Sequence, residues 1–269
     1  MRARAVSWPQ LSLFFLLLLA PGLARSETLA PALPPGLADG GSAVVAEVID
    51  GDSLVLADGR TVRLVGIQAP KLPKGRGFAA WPLAEAANTA LTELARGKSV
   101  TLRFGGARED RYGRVLAQLV RDDGLWIEGE LLRRGLARVY TFADNRAAAA
   151  VLYALESEAR AARRGIWADP FYAPLTPEEA PHHDGKLELV EGRIVSVARI
   201  SGRVFLNFGG DWRTAFTVRV DREALALFRA AGIDPLALEG EAVRVRGYIR
   251  RDRNRAVMDV THPEAIERL

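Results

Sequence analysis

Residues 168–185 read ADPFYAPLTPEEAPHHDG, with four prolines, four acids and no lysine or arginine. Proline removes a backbone donor and its ring collides with the preceding turn, so no helix runs through such a stretch. The stretch reads as a linker, and the chain on either side must bury its own apolar residues. A chain of 269 residues is long enough for two small cores, and 49% hydrophobic with 26% charged residues excludes disorder throughout.

Ahead of the first unit lies a segment of another kind. Arg2 and Arg4 precede the apolar run Leu11–Ala20, and small residues follow at Gly22, Ala24 and Ser26. That is the layout of an export signal over residues 1–26, since an apolar run of about ten residues is nearer a signal core than a spanning helix. An uncleaved membrane anchor is the alternative. The expectation is a secreted or periplasmic protein with no stable membrane span after signal cleavage. The absence of cysteine rules out disulfides, thiolate metal sites and a cysteine nucleophile. Cleavage after Ser26 would remove three arginines and no acid, taking 37 basic and 33 acidic residues to 34 and 33. Only Lys71, Lys74, Lys98 and Lys186 are lysines. Guanidinium forks suit phosphate, and a coding bias toward arginine explains them equally well.

The first unit, residues 42–167, opens with strand-like runs at 44–49, 53–57 and 60–67, the last two joined by an Asp58-Gly59 turn. Residues 83–94 repeat apolar positions at helical spacing behind Pro82, and Gly97 follows their end. SVTLRF (99–104) and RVLAQLV (114–120) read as strands around a turn at Asp110–Gly113. A short helix is expected at 128–134 and a longer one at 146–164. Arg163 and Arg164 would complement the negative end of its dipole, and Gly165 would take the left-handed cap. Strands first and helices after predict a mainly β fold with α, an α+β or small-barrel class. The second unit, residues 186–269, orders three strands, one helix and two strands, as a small OB-like barrel does. Both units open strand, turn, strand, strand, an echo that suggests related architecture.

Asp50 and Asp52 flank Gly51 on a tight turn, so both carboxylates can approach one point, although turn chemistry alone also favours Asp-Gly-Asp. Arg63 stands in the otherwise apolar TVRLVGI, where a charge needs a partner. AREDRYGR, residues 107–114, sets Arg108, Arg111 and Arg114 around a glycine turn, the usual composition of a solvated loop. His182, His183 and Asp184 invite a metal reading, but adjacent histidines lack the spacing that puts ligands on one face.

Taken in order, VIDGDS, VRLVGIQAP, DRYGR, EGELLRRGLARV and RRGIW make residues 44–167 resemble the staphylococcal nuclease (thermonuclease) family. The resemblance implies a five-stranded OB barrel with helices and a calcium-dependent phosphodiester hydrolase. It implies that Asp52 is the first calcium ligand and Asp50 its neighbouring acid, with Arg63 and Arg114 as the two phosphate-binding arginines. Arg111 would join them on the substrate. Tyr140 and Phe142 fall where the family places rings that stack on a terminal base, an interaction worth about 1–3 kcal/mol. Packing under a loop accounts for them as well.

Three positions depart from the family pattern. Gln68 stands where the second calcium-binding aspartate belongs, Ala69 where a threonine does, and Lys71 where the general-base glutamate does. Calcium takes six to eight oxygens and depends on carboxylate charge, so calcium binding is expected to be weak. A protonated lysine takes no proton from water, and general-base assistance is worth about 10²–10⁴ in rate. The expectation is a phosphate-binding relic of a nuclease site, with single-stranded DNA or RNA as partner. The alternative is retained phosphodiesterase activity, with Lys71 held neutral or with Glu47, Glu109 or Asp110 as base.

In the second unit, Phe205, Phe208, Trp212 and Phe216 cluster with Arg203 and Arg213 over the second and third strands, the face on which OB folds bind oligonucleotides. Alternation would bury about half of these rings. The arginine hairpin Tyr248–Arg255 could follow a phosphate backbone or simply be solvated. A third expectation is an interaction module with a cell-envelope protein partner. The near-neutral mature charge favours it, because non-specific nucleic-acid affinity comes mainly from phosphate neutralisation.

Overall fold

The computed structural model describes residues 32–73 and 79–269. The signal-like stretch at 1–26 and Lys74 lie outside the described residues. The elements are β1 (Ala38–Asp50), β2 (Ser53–Leu56), β3 (Thr61–Leu64), β4 (Gly66–Gln68), α1 (Ala84–Ala95), β5 (Ser99–Phe104), β6 (Val115–Arg121), α2 (Ile127–Arg133), β7 (Arg138–Tyr140) and α3 (Ala149–Ala161). They continue with β8 (Leu187–Arg193), β9 (Ser196–Ile200), β10 (Arg203–Asn207), β11 (Thr217–Val220), α4 (Arg222–Ala230), β12 (Ala242–Asp252), β13 (Arg255–Val260) and β14 (Ile266–Arg268).

β1, β2, β3, β6 and β5 close into a barrel, the five-stranded barrel with helices that the family resemblance implies. One long strand makes closure possible: the first half of β1 pairs β5 and its second half pairs β2, with bulges where it bends. It begins at Ala38, earlier than the expected boundary at Ser42. Alternation fills the interior. In β5 every second residue, Val100, Leu102 and Phe104, turns inward, and in β3 Val62 and Leu64 do so while Arg63 takes the opposite face. Leu91 of α1 and Trp126, Ile127 and Leu131 around α2 close the core. The Trp126 indole N–H donates to Gln118 Oε1 at 2.8 Å, and the Gln118 amide donates to Val65 O at 2.9 Å, so the buried polar pair is satisfied.

α3 is shorter than expected. Its first turn is lost where Arg146 turns to Glu264 of the second unit, with Nε to Oε1 at 3.0 Å. Its end is capped by Arg163 rather than Gly165. Arg163 adopts φ 50°, with Arg164 N donating to Ala159 O at 2.9 Å and Arg163 N to Arg160 O at 3.0 Å. Gly165 serves a different need, since a Cβ there would lie 2.1 Å from Gly135 O, and one on Gly135 would lie 2.2 Å from Arg164 O. The two Arg-Arg-Gly motifs thus mark one close backbone crossing, sealed by Ile166 N to Gly135 O at 2.8 Å.

In the second unit the strand order is β9, β10, β11, β13, β12, with β8 and β14 both on β12. Only Ile194 and Val195 separate β8 from β9, so one bent strand borders both margins of the sheet. β11 runs parallel to β13 as β3 runs parallel to β6, and each unit has a helix before its last two sheet strands in this pairing, α1 ahead of β5 and α4 ahead of β12. Residues 168–185 pack rather than dangle: Tyr172 is buried and its hydroxyl donates to Pro82 O at 2.6 Å.

The two units meet through charge. Glu156 of α3 is fully buried and accepts Val139 N at 2.6 Å and Arg246 of β12 at 2.8 Å. Arg138 reaches Glu188 at 3.4 Å, Arg160 reaches Glu267 at 3.3 Å, and His262 contacts the Thr141 hydroxyl at 3.2 Å. Among the described residues no helix is long and apolar enough to cross a membrane.

Candidate functional site

Gly51 permits the first turn. A Cβ there would lie 2.7 Å from Ala69 Cβ and 2.8 Å from Ala87 Cβ, so only glycine lets the Asp50–Asp52 turn press onto the loop after β4 and onto α1. That approach buries Asp52 completely and lets Ala69 N donate to its Oδ2 at 2.8 Å. Lys71 Nζ lies 2.6 Å from each Asp52 carboxylate oxygen and 3.4 Å from Asp50 Oδ2. Arg63 reaches Asp52 Oδ2 at 3.4 Å, and its other donors are tied to Leu64 O and, at 2.7 Å, to Ile67 O. Burial alone would push the Asp52 carboxyl up; the Arg63 and Lys71 charges, with hydrogen bonds from Lys71 and the Ala69 N–H, outweigh it and hold the group down to about 2.

Gln68, in β4, lines the same cleft as Arg63 and Lys71, but its side-chain oxygen is engaged elsewhere. Its Oε1 accepts from Arg138 Nε at 3.2 Å and Nη2 at 3.1 Å, across the β4–β7 pair. Arg138 in turn reaches the second unit through Glu188, so the residue at the expected ligand position holds the unit interface instead.

Arg114 is positioned by its own turn. Asp110 Oδ1 accepts the Tyr112 and Arg114 main-chain N–H groups at 2.9 and 3.0 Å, and its Oδ2 takes Arg114 Nε at 2.8 Å and Nη2 at 2.7 Å. Burial works against the ionised Asp110, but these bonds prevail and its carboxyl lies below the usual range. Asp110 orients an arginine, which weakens its case as a base. Tyr112 is 69% exposed, with the Arg111 guanidinium 5.0 Å and that of Arg114 5.6 Å from its ring centre. Glu47 is exposed on β1 and does not line the cleft.

Arg63, Lys71, Arg111 and Arg114 line one cleft of about 590 Å³, together with Tyr140 and Phe142. Asp50 and Asp52 lie beneath it, behind Lys71. Three further residues that the sequence did not single out for a role line it: Tyr112, Asp144 and Tyr248 of the second unit. Glu109 also lines it, with no ion pair among the described residues. Elsewhere the sequence candidates serve other ends. His183 Nδ1 contacts Glu188 at 2.9 Å and Asp184 accepts Arg251 N at 2.9 Å. Phe208 and Phe216 pack inside the second unit with ring centres 5.2 Å apart, while Trp212 is 53% exposed beside Arg213. Arg203 pairs with Asp221 at 2.6 Å. Among the described residues no three or more histidine, aspartate or glutamate side chains converge as a metal-binding set.

A closed five-stranded barrel with an Asp-Gly-Asp first turn, one arginine on the third strand and another on the turn before the last is the framework of a nuclease-like OB protein. Residues 61–169 match the family described as staphylococcal nuclease homologue. An uncharacterized endonuclease of Escherichia coli is 34% identical over 128 residues, 46% of this chain and 76% of that protein. The probable staphylococcal-like nuclease CAN1 of Oryza sativa subsp. japonica is 35% identical over 114 residues, 42% of this chain and 30% of that one. Endonuclease YhcR of Bacillus subtilis is 28% identical over 149 residues, 50% of this chain and 12% of that one. The chain belongs to the staphylococcal nuclease family. The family match ends at residue 169, before the second unit.

Proposed function

We propose that this protein is an exported member of the family that binds single-stranded nucleic acid through the cleft beside Arg63 and Arg114, with calcium-dependent hydrolysis impaired. The observation that carries the reading is the Lys71 ammonium lying 2.6 Å from both oxygens of Asp52.

The residues do not fit a calcium ion. The ammonium already neutralises the carboxylate that a divalent ion would need, and Gln68 is a neutral amide turned to Arg138. Six to eight oxygens are wanted and two aspartates are present. Lys71 and Arg63 together balance Asp50 and Asp52, so what they bring to the cleft is oriented N–H donors rather than net positive charge. Arg114, held through Nε and Nη2 by Asp110, lines the cleft, and guanidinium geometry matches phosphate. The neutral-amine route to a base has against it two carboxylates within reach of the same nitrogen.

Export rests on Arg2, Arg4 and the Leu11–Ala20 run; cell fractionation with N-terminal sequencing of the mature protein tests it. Binding is tested by incubating the protein with an end-labelled single-stranded oligonucleotide, in calcium and in EDTA, on native and denaturing gels. An intact, shifted strand in both is the expected result. Calcium-dependent fragments would overturn the impaired-site reading and direct attention to Glu109. An intact, unshifted strand would leave the interaction module with an envelope protein as the better account.

A further inference from the structure

Tyr248 belongs to the second unit yet reaches the cleft of the first. Its ring centre is 5.8 Å from that of Tyr140, edge-on, and Tyr140 is in turn 4.5 Å from Phe142. Tyr248 and Phe142 are 42% and 41% exposed. The three rings form a ridge, with the 590 Å³ cleft on one side and a second hollow of about 220 Å³ on the other; all three rings line both.

The position of Tyr248 is fixed, not incidental. Arg246, two residues back on β12 and so on the same strand face, donates to Val139 O at 2.8 Å and to the buried Glu156. Val139 is the neighbour of Tyr140 on β7. One buried ion pair therefore sets both rings relative to each other across the unit boundary. Two exposed rings, Phe142 and Tyr248, both packed on Tyr140 and beside two arginines, are surface that folding alone does not require.

Charge cannot supply the affinity alone. Glu109, Asp110 and Asp144 offset all but one of the four cationic side chains that line the cleft. Stacking must then contribute a large share, and every base has a face to offer only when it is unpaired.

Resting on the nucleic-acid reading above, we propose that Tyr248 is a specificity-determining residue: with Tyr140 and Phe142 it forms a two-unit aromatic platform that takes an unpaired base next to the phosphate at Arg63 and Arg114. The platform makes the second unit part of the binding site and favours single strands over duplex.

The test uses the full chain, its Tyr248→Leu and Tyr248→Phe variants, and fluorescence anisotropy. The probes are a fluorescein-labelled oligothymidylate and an abasic strand of the same length and charge. The expected result is a loss of about 5- to 150-fold in affinity for oligothymidylate in Tyr248→Leu, matching one stacked base. Affinity for the abasic strand stays unchanged, and Tyr248→Phe restores oligothymidylate binding. An equal loss on both strands, or no loss, overturns the role of Tyr248 while leaving the nucleic-acid reading intact. A wild-type protein that binds neither strand overturns both.

Discussion

Replacing Lys71 by methionine removes an ammonium from the buried Asp52 while keeping the length of the side chain. Breaking a buried pair by deleting one partner costs about 3–5 kcal/mol. Here the loss is smaller, because the Lys71 side chain is 24% exposed and Asp52 keeps Arg63 at 3.4 Å and the Ala69 N–H at 2.8 Å. The Asp52 carboxyl falls from 3.8 to about 2 on folding, which corresponds to about 2 kcal/mol of stability at neutral pH for Arg63, Lys71 and the Ala69 N–H together. We therefore expect Lys71→Met to lose up to about 2 kcal/mol at pH 7, or roughly 4–8 °C in melting temperature. Because the folded value is the lower one, that stability is complete above pH 4 and fades as pH falls toward 2. Wild type should lose about 1 kcal/mol from this source between pH 5 and pH 3, and the variant little or none, so the gap narrows in acid. Urea unfolding followed by tryptophan fluorescence at pH 7, 5 and 3 measures it. A gap below about 0.5 kcal/mol at pH 7, or one that widens toward pH 3, would refute the ion cluster as described.

The double substitution Gln68→Asp with Lys71→Glu should confer a calcium-dependent rise in melting temperature that wild type lacks; calorimetric titration with calcium alone reads it, and no heat of binding would mean that these positions are not the altered ligands. Burial pushes Glu128 up to about 8, so the folded protein holds a proton that the unfolded chain releases above its ordinary 4.5. Stability should fall as pH rises from 4.5 to 8, and Glu128→Gln should remove that slope in urea midpoints taken at several pH values; a parallel offset at every pH would count against it. Gly135→Ala should lose more than about 2 kcal/mol, since φ is +68° and the new Cβ meets Arg164 O, whereas Gly59→Ala, with φ +86° and open space, should lose only about 1. Equal losses in a denaturant melt would show that the backbone crossing is not a constraint.

The strands are legible because their signals are local. Strand alternation, Asp-Gly turns and the Asp110 to Gly113 turn each act within a few residues and narrow the class to α+β or a small barrel, while the five-stranded barrel itself is what the family resemblance implies. The end of α3 was missed for a local reason too: Gly165 is a sound cap by residue type, but the crossing with Gly135 claims it and Arg163 absorbs the left-handed turn. Lys71 could be read as an anomaly from its position; that it seats on Asp52 could not, because seating depends on how closely Gly51 lets the turn approach Ala69. Tyr248 was legible only as part of an arginine hairpin. Its place in the cleft follows from docking between units, through Arg246 and Glu156, and no spacing rule links residues so far apart in the chain.

The buried charges between the units also bear on how such a chain can be inherited. An apolar seam can be parted and recombined with other apolar surfaces at modest loss. Here Glu156 lies in the family barrel and Arg246 in its companion, and excision would leave Glu156 with Arg160, which is itself shared with Glu267. A gene fragment encoding either half would lose the Glu156–Arg246 pair and open its charges to solvent, although Glu156 would keep Arg160 and Arg246 would keep Glu267. Recombining either half of this chain with another partner would therefore call for changes on both sides of the seam together.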